Sequence, residues 1–250
     1  MILYEYPLNE RTRTYLRLEH LFVRLTALSA RETALDHHYA IATLFEIMDI
    51  SGRVDLKSDV LKDLDRQKHQ LGAYRGNPTI AERVLNDTMH QLDACFRSLN
   101  QLIGKVGQAL SENDWLMSIR SRMGIPGGTC AFDLPAYFAW QHQPTAQRQA
   151  DLHLWRMGLA PLDQALQLLL KLLRDSGTSQ QVVASNGQFQ QNMPTGRPFQ
   201  LLRLSPKDTA LVPEISGNRL LISIRLMRPS ADARLQPASG NSALTLTLCA

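Results

Sequence analysis

The chain has 250 residues, 44% of them hydrophobic, with 27 Lys/Arg against 23 Asp/Glu and a formal net charge of +4. That composition is ordinary for a soluble globular protein and is large enough to bury a core as one domain or two. Three cysteines (Cys95, Cys130, Cys249) without CxxC spacing exclude a disulfide scaffold and a zinc site of the finger type, and fit a reducing compartment.

Met1 to Tyr6 alternates aliphatic and aromatic residues and then meets Pro7, which predicts a short strand stopped by the proline. This start has neither the basic region nor the apolar run of a signal peptide. Leu18, Leu21, Phe22, Leu25 and Leu28 recur at helical spacing, with Arg13, Arg17, Arg24 and Arg31 on the opposite face. A second helix is expected from about Asp36 to Ile50, broken by Ser51-Gly52. A third runs through Leu56, Val60, Leu61, Leu64 and Leu71 and ends at Gly76-Asn77-Pro78. Within it, Asp63 and Asp65 read as solvated charge, paired with Lys62 and Arg66.

Thr79 reads as an N-cap, with Glu82 three residues on as in a capping box. From Ile80 to Leu110 apolar residues keep helical spacing, which at 1.5 Å per residue predicts roughly 45 Å of helix, with a bend near Gly104 or Gly107. A helix of that length suits the spine of a bundle or a dimer seam. Asp114 to Met123 is a further helix, Gly124-Ile125-Pro126-Gly127-Gly128 a break, and Leu134-Pro135 a helix start. Pro144 to Met157 and Pro161 to Arg174 supply two more helices. The last is apolar nearly all round and is expected to be buried. It is too short and too polar to cross a membrane.

From Ser179 the period changes to that of strands. Asn186-Gly187 between two such runs predicts a hairpin with a type I′ turn. Leu201 to Leu204, Arg219 to Met227 and Leu244 to Leu248 read as strands, and Leu235 to Ser242 as a mobile loop. In the Arg219 to Met227 run, Leu220, Ile222, Ile224 and Leu226 alternate with Arg219, Leu221, Ser223 and Arg225. Arg219 and Arg225 are therefore expected on one face and the aliphatic set on the other. The pattern as a whole predicts an α+β protein: a helical domain over residues 1–178, whose strand at residues 2–6 joins the β part, and an antiparallel strand domain over residues 179–250.

Charge follows the same division. Residues 1–175 carry 20 basic and 20 acidic side chains, so the whole net charge resides in residues 176–250. There Arg197, Arg203, Lys207, Arg219, Arg225, Arg228 and Arg234 face only Asp208, Glu214 and Asp232. A cationic module on a neutral body draws anionic partners. Catalytic groups are harder to find. The seven histidines show no HExxH spacing and read as surface or half-buried residues, not metal ligands. Cys130 and His142 have no nucleophile motif around them, and Gly127-Gly128 lacks phosphate-loop context. A cytoplasmic nucleic-acid-binding adaptor is the alternative reading of the basic module. Few aromatics accompany it, so a peptide carrying acidic and apolar residues fits better.

Several stretches resemble one family over essentially the whole chain. Glu5-Tyr6-Pro7-Leu8-Asn9-Glu10, Arg13-Thr14-Tyr15-Leu16-Arg17, Leu61-Lys62-Asp63-Leu64-Asp65-Arg66-Gln67, Ile125 to Pro135, Ile215-Ser216-Gly217 and Ile224-Arg225-Leu226-Met227 are similar to the ZapD family, which bundles filaments of the bacterial division protein FtsZ. The resemblance implies a symmetric homodimer acting in the cytoplasm at the midcell Z-ring, without enzyme activity, cofactor, metal, membrane or nucleic-acid partner. It implies basic pockets for the C-terminal tail of FtsZ, and by position assigns Arg17, Arg53, Arg219 and Arg225 to them. Leu221 falls where the resemblance implies another basic residue. Asp114 and Phe138 stand where the family carries basic or polar residues around a central cleft.

Overall fold

The structure is a computed structural model and describes residues 2–52, 55–194, 196, 198–218, 220–232 and 234–250. Among the described residues the elements are, in chain order, β1 (Tyr4–Pro7), α1 (Glu10–Ser29), α2 (Ala34–Ser51), α3 (Leu56–Gly72), α4 (Glu82–Gln101), α5 (Gln108–Ser111), α6 (Asp114–Met123), α7 (Pro135–Gln141), α8 (Thr145–Met157), α9 (Ala160–Asp175), β2 (Thr178–Ala184), β3 (Gln188–Asn192), β4 (Leu201–Pro206), β5 (Val212–Gly217), β6 (Leu221–Pro229), β7 (Leu235–Pro237) and β8 (Ser242–Cys249). The protein is α+β, as the two periodicities predict. It divides into two compact units, Arg17–Leu169 and Met1–Leu16 with Leu170–Ala250.

In the helical unit the predicted apolar stripes are buried: Leu18, Phe22 and Leu25 of α1, Ile41, Leu44 and Ile47 of α2, Val60 and Leu64 of α3. Lys68 Nζ of α3 meets Asp93 Oδ1 of α4 at 2.6 Å. Three expectations fail here. Asp63 is buried at 3% exposure and held by Arg66 Nη2 at 3.0 Å, while Asp65 alone of the two is solvated. The helix expected from Thr79 begins at Glu82 with Ala81 as its N-cap, because Thr79 gives its hydroxyl to Asn77 Oδ1 at 2.8 Å inside a turn. It also stops at Gln101. Gly104 and Gly107 take φ of +67° and +79°, which a right-handed helix cannot absorb, so Val106 is buried from the turn between them and Leu110 from the separate short α5.

A further correction concerns His37, which is fully buried rather than at the surface or half-buried. Its Nε2 bonds the Arg31 carbonyl at 2.8 Å, and its Nδ1 accepts from Arg148 Nε at 3.0 Å, so the ring is neutral with the proton on Nε2. Burial pushes the imidazole below its usual value; the Arg148 charge adds to this, against the Arg31 bond and the Asp36 charge. Arg148, itself 6% exposed, also donates to Glu32 O at 2.6 Å, Gln141 O at 3.3 Å, Thr145 Oγ1 at 3.3 Å and Gln143 O. One guanidinium thereby satisfies the end of α7 and the connection between α1 and α2. Beside it all three tryptophans (Trp115, Trp140, Trp155) cluster with Tyr137: Trp115 stacks on Trp155 and Tyr137 on Trp140, and Trp115 meets Tyr137 and Trp140 edge-on, with ring centroids 5.4–6.0 Å apart.

The strand unit holds two antiparallel sheets, β1-β4-β8-β2 and β3-β6-β5 with β7 also paired to β6. Their inward side chains form one core: Leu202, Leu204, Leu244 and Leu246 from the first sheet, Ile222, Ile224 and Leu226 from the second. β1 is an edge strand on β4, the N-terminal strand joining the β part as expected. Pro7 lies inside it, at a place where the free edge asks nothing of its missing N–H. Asn186 and Gly187 take φ of +48° and +70°, the turn that Asn-Gly predicts, and a Cβ on Gly187 would stand 2.2 Å from the Ala238 carbonyl oxygen. The predicted hairpin does not continue. Beyond the Ser185–Gln188 bridge β2 pairs with β8 and β3 with β6, so the turn is a corner between sheets. Residues 235–237, expected in a mobile loop, pair with β6, and Ala238 donates to Leu226 O at 2.9 Å. Leu220 precedes its strand and is 77% exposed.

Glu5 of β1 fastens this unit. Arg174 Nη2 reaches its carboxylate at 2.7 Å and Arg203 Nε at 3.1 Å. Burial raises the carboxyl's pKa, but hydrogen bonds and charge from Arg174 and Arg203 outweigh it and hold the group below the usual glutamate range. A depressed carboxylate stabilises the fold above its unfolded pKa and loses that contribution as pH falls through its folded one. Glu5→Gln is therefore expected to cost about 1–2 kcal/mol at pH 7 and progressively less as pH falls through the lowered folded pKa, read by urea unfolding followed by far-UV circular dichroism. A cost that does not fall at all as pH is lowered would refute the charge pairing.

Candidate partner-binding surface

Once the strands are paired, the cationic excess of the C-terminal region is smaller than the sequence suggests. Arg203 is spent on Glu5, Arg228 pairs with Asp208 at 2.6 Å, and Arg234 with Asp232 at 3.3 Å. Hydrogen bonds from Ala210 N–H and Arg228, and the Arg228 charge, hold Asp208 below the usual aspartate range, so that pair is ionised. Among the described residues, Arg225 and Lys207 are the members of the cluster whose side chains have neither hydrogen bond nor ion pair. Arg197 lies outside the described residues.

Arg225 occupies the outer face of the second sheet. The alternation predicted for this strand is present: Ile222, Ile224 and Leu226 are buried, Leu221 and Arg225 exposed. Register places its cross-strand neighbours. Gln188 of β3 and Glu214 of β5 stand directly beside Arg225; Gln190 and Ser216 flank Ser223; Asn192 is beside Leu221. Directly opposed side chains share a face, so the surface is a strip of amides and hydroxyls around one free guanidinium. It can hydrogen-bond an extended chain and pair one carboxylate bidentately. Glu214 was not anticipated as part of this face, since nothing short of the β5–β6 register puts it there.

The other assigned arginines stand as follows. Arg17 is exposed on α1, in the helical unit, and has no hydrogen bond or ion pair among the described residues. Arg53 and Arg219 lie outside the described residues. Of the departures, Leu221 is 37% exposed on the Arg225 face, Asp114 is exposed in the first turn of α6, and Phe138 is 44% exposed on α7.

The enzymatic candidates are each engaged by another group. Cys130 Sγ donates to Asp133 Oδ2 at 3.4 Å, while His142 Nδ1 is engaged by Phe138 O at 2.8 Å. No cluster of three or more His, Cys, Asp or Glu among the described residues could hold a metal ion, and none of their helices is long and apolar enough to cross a membrane.

Comparison with known proteins points one way. The family model described as ZapD, cell division protein, matches residues 16–225. The chain is similar to proteins named Cell division protein ZapD from Ralstonia pickettii (48% identical), Ralstonia nicotianae (49%) and Cupriavidus pinatubonensis (46%). Each alignment covers 100% of this chain and 99% of the relative.

Proposed function

Because the chain belongs to the ZapD family of cell division proteins, we propose that it captures the C-terminal tail of FtsZ and, as a homodimer, cross-links FtsZ filaments at the cytoplasmic face of the division site. In this reading Arg17 and Arg53 of the helical domain (residues 1–178) and Arg219 and Arg225 of the strand domain (residues 179–250) contact the tail. The observation that carries it is Arg225, an exposed guanidinium without an ion pair among the described residues, set in a strip of hydrogen-bonding side chains. Such a surface attracts a carboxylate without first having to give up a partner. Two-fold symmetry doubles the grip, and many weak grips along a polymer act together.

The test is sedimentation of FtsZ polymer with this protein, comparing full-length FtsZ with FtsZ lacking its tail. Co-pelleting and bundling with the former alone support the reading, and equal capture of both refutes it. Ionic grips also predict weakening with salt, since the Debye length shrinks from about 10 Å at 0.1 M to about 3 Å at 1 M. Glu214 opposes an acidic tail from beside Arg225. Glu214→Gln is expected to tighten binding of a tail peptide about two- to fivefold, the range of one exposed charge pair. Fluorescence anisotropy of a labelled peptide measures it; weaker binding by the variant would place the tail elsewhere.

A further inference from the structure

The helical unit holds a cleft of about 260 Å³ where the end of α2, the first turns of α3 and residues 104–106 meet, lined by Ser51, Lys57, Ser58, Leu61, Lys105 and Val106. Its wall is a fixed loop. Lys57 Nζ donates to the Leu102 carbonyl, tying α3 to the end of α4. Gln108 Oε1 accepts from the Lys105 N–H at 3.2 Å, and Gln108 Nε2 donates to Glu112 Oε1 at 2.9 Å. Val106 is buried at 3% exposure, and Gly107 lets the chain turn with φ of +79° beneath it.

The chemistry of the cleft is one-sided. Ser51 and Ser58 give their hydroxyl protons to Met48 O and Asp55 O, so the donors left for a ligand are ammonium groups. Lys57 keeps two of its three N–H donors, and the Lys105 ammonium has no partner among the described residues. No carboxylate lines the cleft among the described residues. Leu61 and Val106 supply an apolar wall, and Ile103 on the same loop is 91% exposed. The volume is below that of a typical small-molecule pocket and suits side chains of a passing peptide.

We propose that this cleft is a second grip for the partner tail, with Lys105 and Lys57 pairing an acidic side chain and Leu61 and Val106 packing its apolar neighbour. The proposal rests on the reading that the partner is an acidic tail, and charge complementarity selects that occupant. A rigid wall lowers the ordering cost of binding.

The test is anisotropy of a labelled FtsZ tail peptide with full-length protein. Lys105→Glu is expected to weaken binding about tenfold, since attraction becomes repulsion at contact range. Lys62→Glu, the same charge change on the exposed side of α3, should move it less than twofold. Tryptophan fluorescence, which reports the helical unit, verifies that both variants are folded. If Lys105→Glu behaves like Lys62→Glu while Arg225→Glu still weakens binding, the cleft proposal is wrong and the tail reading stands. If the unmodified protein does not bind the peptide, both fall.

Discussion

Arg225→Glu is expected to abolish FtsZ bundling, and Arg53→Glu to do the same, with the fold of each variant intact. At position 225 the reasoning is local. The side chain is exposed, makes no ion pair among the described residues, and projects from a strand whose other face is buried. Reversal removes the cation and places a second carboxylate directly across from Glu214. Like charges so placed repel an acidic tail and destabilise the sheet only slightly, by about 0.2–1 kcal/mol. For bundling by the proposed homodimer the loss is magnified, because a cross-link would need both grips and the penalty would apply at each. A tenfold loss per grip becomes about a hundredfold loss for the bridge. Light scattering and pelleting of FtsZ polymer read the effect; undiminished bundling by both variants would remove the arginines from the site.

The second large effect concerns stability. Arg148→Met is expected to destabilise the helical unit by about 3–5 kcal/mol, the range for removing one member of a buried charged network. Arg148 is charged yet pairs with no carboxylate among the described residues; it is held by His37 Nδ1, Thr145 Oγ1 and three backbone carbonyls. Methionine fills the volume but leaves those acceptors buried without donors, and each unmade bond costs about 1–3 kcal/mol. Gln149 offers partial relief, since it already bonds Ala30 O and Arg31 O in the same connection. All three tryptophans lie in this unit, so urea unfolding followed by tryptophan emission isolates it from the strand unit. A loss under about 1 kcal/mol would show that the network is dispensable.

The sequence was legible wherever local periodicity and burial coincide. The stripes of α1, α2 and α3 were read correctly because each helix buries one face and spacing of three and four records it. Alternation in β6 placed Arg225 outward for the same reason. The long helix after Thr79 was misread because apolar spacing alone persisted across Gly104 and Gly107, whose positive φ ended the helix. Asn77, by accepting the Thr79 hydroxyl, took away the expected cap.

For the candidate surface, what the sequence by itself determined was the class of fold, the family, and which side of one strand carries a cation. These depend on residues within a few positions of one another or on similarity along the whole chain. Only the tertiary structure decided how much of the charge is free. Arg203 is neutralised by Glu5, 198 positions earlier in the chain; Glu214 meets Arg225 through strand register; and Lys57 and Lys105 share a cleft because a turn brings them together. Electrostatic pairing depends on distance in space, and distance along the chain does not encode it.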